Sequence, residues 1–281
     1  SIGAGYFSSL SNTLTVNGNF NINNNSWVHI AHNGDEGGNI YSALNISKDL
    51  NISSDSELSL ISNGGSGNDP TIHASLNVGG TVYNSGRLVS YGGPQAGRTY
   101  GSFSINNLVN TGTFIFDSPN ALNGTFNNVT QAGGYFQQGG TNDFHINGTL
   151  TVSGGTLGNN DTIVVGADSG KFSVGQSLNL AGGSVGNLSV LTHVGGSVLV
   201  SAGSYGIGTL NKSNGSLTNK GVLTVTNFNQ SNGSSTNSGN LTIGNANLYG
   251  SLNNTGTLTM TGNLTSRGNL SSSGTLNNRG N

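Results

Sequence analysis

The sequence predicts an all-β protein: a single right-handed parallel β-helix, or solenoid, of about 15 coils with a few extruded loops. Three observations carry this expectation. From Leu258 the chain reads LTMTGN LTSRGN LSSSGT LNNRGN, and Leu276, Leu270, Leu264, Leu258, Leu252 and Ala246 recur every six residues. A helical period of 3.6 or simple alternation does not yield six, whereas a short strand followed by a turn does. A larger Asn-x-Gly-x-Leu unit recurs at Asn219, Asn237 and Asn254, three hexads apart to within a single position. Finally, only 6% of the 281 residues are charged and 48 are glycine, yet Leu, Val, Ile and Phe return at regular intervals. Disordered chains combine low hydrophobicity with high net charge, so this composition favours folding.

Taken in chain order, WVHIAH reads as a strand entering a polar loop, and Leu44 to Ile46, Leu50 to Ile52 and Leu58 to Leu60 as short strands six to eight residues apart. The Asn-x-Gly pattern appears at Asn84 and Asn110, and residues 114–136 are expected to hold longer coils. The repeat weakens at residues 33–39, 62–71 and 91–101, which we expect to be loops leaving the rod. Pro70, Pro94 and Pro119 lie in or near these zones, as befits a residue that cannot donate to a ladder. Residues 205–281 form the most regular part of one domain spanning 1–281. Each hexad sends one side chain inward and closes on a corner glycine, expected there for its tolerance of positive φ. In a stack, equivalent residues lie above one another. Like charges would repel there, whereas asparagines at equivalent turn positions bond to their own copies. An antiparallel meander, suggested by Asn-Gly dipeptides such as Asn17-Gly18 and Asn63-Gly64, ranks second because hairpins do not require strands as short as LTM at constant spacing. The chain closes in mid-repeat, so it is expected to be part of a longer chain.

Composition also excludes function classes. Eight basic residues scattered from Lys48 to Arg279 do not make the cationic stripe that nucleic acid requires. No apolar run is long enough to span a bilayer. The absence of cysteine removes disulfides and thiolate metal sites and suits a chain that crosses a membrane unfolded.

Local motifs add little chemistry. His29 and His32 stand near Asp35 and Glu36, but residues three apart on a strand face opposite sides, so no metal site is assigned. GGSGNDPTI, containing Asn68 and Asp69, approaches a calcium-binding nonapeptide but has Thr71 where a large apolar residue belongs, and it occurs once. Calcium is the one cofactor it leaves open. GGSVG at residues 182–186 lacks the helix that a nucleophile elbow needs. Asp143 and Asp161 lie three hexads apart and, if stacked, would form the acidic pair of a polysaccharide-degrading β-helix enzyme. The solvated pair is preferred, and no catalytic residue is assigned. Contacts are expected where loops leave the scaffold, around Asp35, Glu36, Asn68, Asp69 and Arg98. Tyr91, Tyr100 and Tyr135 offer sugar-stacking rings, although a role capping the core is preferred for them.

SLNNTGTL at residues 251–258, GNLT at 262–265 and TLNNRGN at 275–281 resemble the repeats of filamentous haemagglutinin-type exoproteins of bacterial two-partner secretion. The resemblance covers roughly the last quarter of the chain. It implies a β-helix displayed on the outer surface or secreted, working in adhesion, biofilm formation or toxin delivery. The family's Asn-Pro-Asn-Gly secretion signature is missing. The expectation is therefore a non-enzymatic adhesin or fibre segment, a rigid shaft whose loops meet a cell-surface receptor or glycan. A self-assembling filament or sheath subunit, pairing end to end, is the alternative. The location implied is extracellular or the bacterial outer surface.

Overall fold

The computed structural model describes residues 11–32, 40–62, 72–91, 99–117, 122–138, 143–159, 172–174, 177–182, 184–193 and 196–280. Among them every strand pairing is parallel, and no helix occurs. The fold is a parallel β-helix with three faces. Its first coil is made by Ser11–Val16, Phe20–Ile22 and Trp27–His32. The second is made by Ile40–Ile46, Leu50–Ile52 and Glu57–Ser62, each strand lying on its counterpart. In the third, Ile72–Asn84 bends through the first two faces before Arg87–Tyr91 supplies the third. The last coil consists of Leu264–Ser266, Leu270–Ser272 and Thr275–Asn278.

Following the register from end to end gives twelve coils among the described residues, where about 15 were expected. The cause lies in coil length. Leu14 pairs with Leu44 and Leu44 with Leu76, intervals of about thirty residues, whereas Phe228, Ala246 and Leu264 follow one another at eighteen. The longer intervals fall between a described third-face strand and the first-face strand that follows it. There residues 33–39, 63–71, 92–98, 118–121 and 139–142 separate described strands, while Ser204–Lys212, Val222–Gln230 and Asn240–Leu248 pass from the third face to the first without a break. The three expected loop zones lie largely outside the described residues, and the described parts of them, Ser62, Tyr91 and residues 99–101, belong to strands. At residues 114–136 the interval is twenty-two, as Phe114 pairs with Phe136.

Alternation explains the core. Along Asn240–Leu248, Leu241, Ile243, Ala246 and Leu248 are buried and their neighbours face out, with parity resetting at the bend. Each hexad of the terminal repeat is one face of the triangle, so Leu252 lies under Leu270 and Leu258 under Leu276. Burying such a side chain contributes about 1.5–3 kcal/mol. Where the coils are wider the filling is aromatic: Phe103, Phe114, Phe126 and Phe136 form one cluster, with Phe114 and Phe136 stacked at 4.4 Å.

The interior is not purely aliphatic. Asn84, Asn110 and Gln131 occupy one buried column, and Asn219, Asn237 and Asn254 occupy its continuation. The Nδ2 of Asn219 donates to the Oδ1 of Asn237 at 2.7 Å, and that of Asn237 to Asn254 at 2.7 Å. Each amide also donates across the corner, Asn219 to the carbonyl of Asn240 and Asn237 to that of Thr257. The expected ladders therefore exist, but these two run inside the rod and fasten its corner. Others lie outside, such as Asn51 to Asn21 and Asn77 to Asn45.

Candidate functional site: an outward column at one corner

Six of the residues singled out from sequence fall beyond what the structure describes. Asp35, Glu36, Asn68, Asp69, Arg98 and Asp161 lie outside the described residues. Tyr91 ends Arg87–Tyr91, its backbone opposite Asp117. Tyr100 lies in register with His73, which in turn follows Tyr41; the Tyr41 and His73 rings stack at 4.6 Å. Asp143 opens Asp143–Ile146 opposite Asn123. The next rung is Phe144 on Phe172, twenty-eight residues on. The coil interval at this point is therefore twenty-eight residues, not three hexads. Tyr135 corrects another expectation: it is 60% exposed and caps no core, a place taken by its buried neighbour Phe136.

Tyr135 belongs to a column that sequence reasoning missed. The first residue of each third-face strand, immediately past a corner, points outward. In register these residues are Trp27, Glu57, Arg87, Thr113 and Tyr135. A signal was present, since Glu57, Arg87, Thr113 and Tyr135 each directly precede an inward Leu or Phe.

Each corner is built to hold its column residue. Ahead of Trp27, Asn24 and Asn25 adopt φ of 57° and 56°, a left-handed conformation that asparagine tolerates. The Asn25 N–H donates to Asp55 Oδ2 at 3.0 Å and the Ser26 N–H to Ser56 Oγ at 3.2 Å, so the second coil's corner braces the first. The Ser53 hydroxyl also donates to Asp55 and holds its carboxyl below the usual range, outweighing the opposing effect of burial with help from the backbone amides of Asp55 and Asn25. At the far end, Asn110 Nδ2 donates to the Tyr135 carbonyl at 2.9 Å, and the Tyr135 N–H to the Gly112 carbonyl at 2.8 Å. The buried ladder thereby fixes an exposed ring.

The column is electrically balanced: Arg87 Nε meets Glu57 Oε2 at 3.0 Å. Trp27 is 72% exposed. In later coils the same position holds Ser204, Val222, Asn240 and Thr257, which present neither ring nor charge. Elsewhere a shallow open depression of about 270 Å³, lined by Thr15, Asn45, Ile46, Asn77 and Val78 among others, marks the corner between first and second faces. His29 and His32 share the strand Trp27–His32, and no group of three or more metal-ligating side chains occurs among the described residues. No helix among the described residues is long and apolar enough to cross a membrane.

No family model, no curated protein and no solved structure matches this chain.

Proposed function

We propose that the chain is a shaft segment of an extracellular, non-enzymatic adhesin or surface fibre. The observation that carries this reading is the continuous parallel pairing over the twelve described coils. At about 4.8 Å per rung it makes a stiff rod of about 55 Å, sheathed in neutral amides and hydroxyls. Such a scaffold positions groups at fixed intervals along a line, which suits lateral attachment to a cell-surface receptor or glycan. The rings and charges of its outward columns stand mainly on the first five coils. The absence of cysteine fits export to the bacterial surface or medium, and the resemblance of the last quarter of the chain to filamentous haemagglutinin-type repeats agrees. Purified chain bearing a fluorescent label is expected to be retained on bacterial or host cell surfaces in a saturable manner, with no product released from any polysaccharide supplied. Retention that never saturates, or steady release of oligosaccharides, would refute the reading. Growth of light scattering with concentration in the absence of cells would replace it with the filament alternative.

A further inference from the structure

We infer that the corner column from Trp27 to Tyr135 is a binding site for a linear, neutral polysaccharide lying along the rod axis. The inference rests on the adhesin reading and deepens it by naming the ligand class. Three observations lead there.

Trp27 and Tyr135, 72% and 60% exposed, are the two most open large apolar side chains described. Aromatic rings held in water on rigid corners are platforms for a partner with an apolar face and a polar rim. A pyranose ring has that anatomy, with C–H groups on its faces and hydroxyls around its edge.

The second observation is spacing. Trp27 and Tyr135 are separated by four rungs, about 19 Å at 4.8 Å each. A pyranose unit in an extended glycan advances by roughly one rung, so a chain stacked on both rings spans about five units. Because both rings are fixed to one β-helix, the second stacking contact carries little further ordering cost.

The third is charge. Between the rings stand the Glu57–Arg87 pair and Thr113, which offer donors and acceptors to hydroxyls but no net charge. A polyanion gains nothing from a guanidinium already matched by a carboxylate, and stacked nucleobases would need a basic groove that this column does not form. A neutral glycan asks only for hydrogen bonds and ring faces.

Calorimetry with neutral β-linked hexose oligomers of increasing length, with a uronic acid oligomer and single-stranded DNA as comparisons, tests the site. Affinity is expected to climb up to about five units and then level off, and to be unaffected by salt. Trp27→Ala and Tyr135→Ala should each weaken it about ten-fold, while Val222→Ala, in the same column outside the site, should change nothing. Both rings are exposed, so thermal melting should match the parent chain and exclude misfolding. Length-independent binding, indifference to both ring substitutions, preference for the uronic acid or DNA with loss in salt, or no binding of any neutral oligomer would overturn the inference. Cell retention separates its fate from that of the adhesin reading. A doubly substituted chain that still adheres as the parent does overturns the glycan site alone, whereas a parent that binds oligomers but adheres to no cell overturns the adhesin reading alone.

Discussion

A buried primary amide has two donors and an oxygen to satisfy, and stacking identical amides meets most of that demand from within the column. It cannot meet it at the column's first member. Asn84 follows Ile52 and Asn219 follows Val200, both apolar, and the Oδ1 atoms of Asn84 and Asn219 have no donor among the described residues. This predicts unequal substitutions. Asn237→Leu leaves the Asn219 Oδ1 orphan in place, reduces the Asn219 Nδ2 to its bond with the Asn240 carbonyl, and strips the donor from Asn254 Oδ1, adding a second orphan at about 1–3 kcal/mol. Asn219→Val only passes the existing orphan on to Asn237, so denaturant midpoints should fall clearly less for it than for Asn237→Leu. The other buried polar group of note is Lys212, whose ammonium donates to the carbonyls of Gly215 at 2.8 Å and Asn232 at 3.2 Å with no carboxylate paired to it among the described residues. Burial lowers its pKa from the ordinary lysine value. Between the lowered folded value and the ordinary unfolded one, the unfolded chain binds more protons, so stability rises with pH through that window. The melting temperature should therefore increase from neutral pH to about 9.5 and lose this component in Lys212→Met. Buried Tyr205, whose pKa is raised by burial, opposes the trend only once unfolded tyrosine ionises near 10.

At the scale of the strand and its corner, glycine was anticipated for the wrong reason. Gly256 and Gly274 are absent from the positive-φ residues, which include Gly203, Gly215 and Gly233. Their requirement is room: a Cβ on Gly256 would lie 2.2 Å from the Gly239 carbonyl oxygen, and one on Gly274 at 2.2 Å from that of Gly256. The coil below approaches too closely for any side chain. Gly256→Ala is thus expected to cost about 1–3 kcal/mol in chemical denaturation. Gly206, on the outer side of Ser204–Lys212 with nothing within 4 Å of an added methyl, should accept alanine neutrally or gain up to about 1 kcal/mol. The hexad and the Asn-x-Gly-x-Leu unit were legible because strand, corner and inward residue repeat at a fixed phase. Hidden from that reading was which side of the wall each asparagine occupies. Asn237 ends SSTN and Asn247 lies in GNAN, both within polar stretches of strand, yet the first is buried and the second bonds Asn229 on the outer surface. The bend of the chain resets parity between them, and composition does not mark the bend. Trp27 and Arg87 do not stand out in sequence for a related reason: their column arises from regular strand starts brought into register over separations of thirty residues.

Over the whole molecule, coil number escaped the sequence because residues between a third-face strand and the next first-face strand lengthen a coil without adding a rung, whereas the overall winding was legible from periodicity alone. Charge is distributed with a polarity that the net value of -2 conceals. All ten acidic residues lie within the first 168 positions, with Lys48, Arg87 and Arg98 as their basic company; beyond them stand Lys171, Lys212, Lys220, Arg267 and Arg279 and no acid at all. A rod with parallel register keeps sequence order as spatial order: among the described residues Asp49, Asp55, Glu57, Asp117 and Asp143 outnumber Lys48 and Arg87 along the first half, and Lys212, Lys220, Arg267 and Arg279 stand without an acid along the second. Two opposing electrostatic effects follow. Net charge alone makes copies repel, and salt screens that repulsion; end-to-end polarity makes antiparallel neighbours attract, and salt screens the attraction. Because the net charge is small and the two halves differ widely, attraction dominates at low ionic strength. Light scattering should therefore give a second virial coefficient that becomes more positive as salt rises from about 0.01 to 0.15 M, where the screening length falls from about 30 to 8 Å. Lys220→Glu combined with Arg267→Glu, both outside the proposed glycan column, should flatten that dependence. A coefficient that instead falls with added salt in the unaltered chain would show that the halves do not act as separate poles.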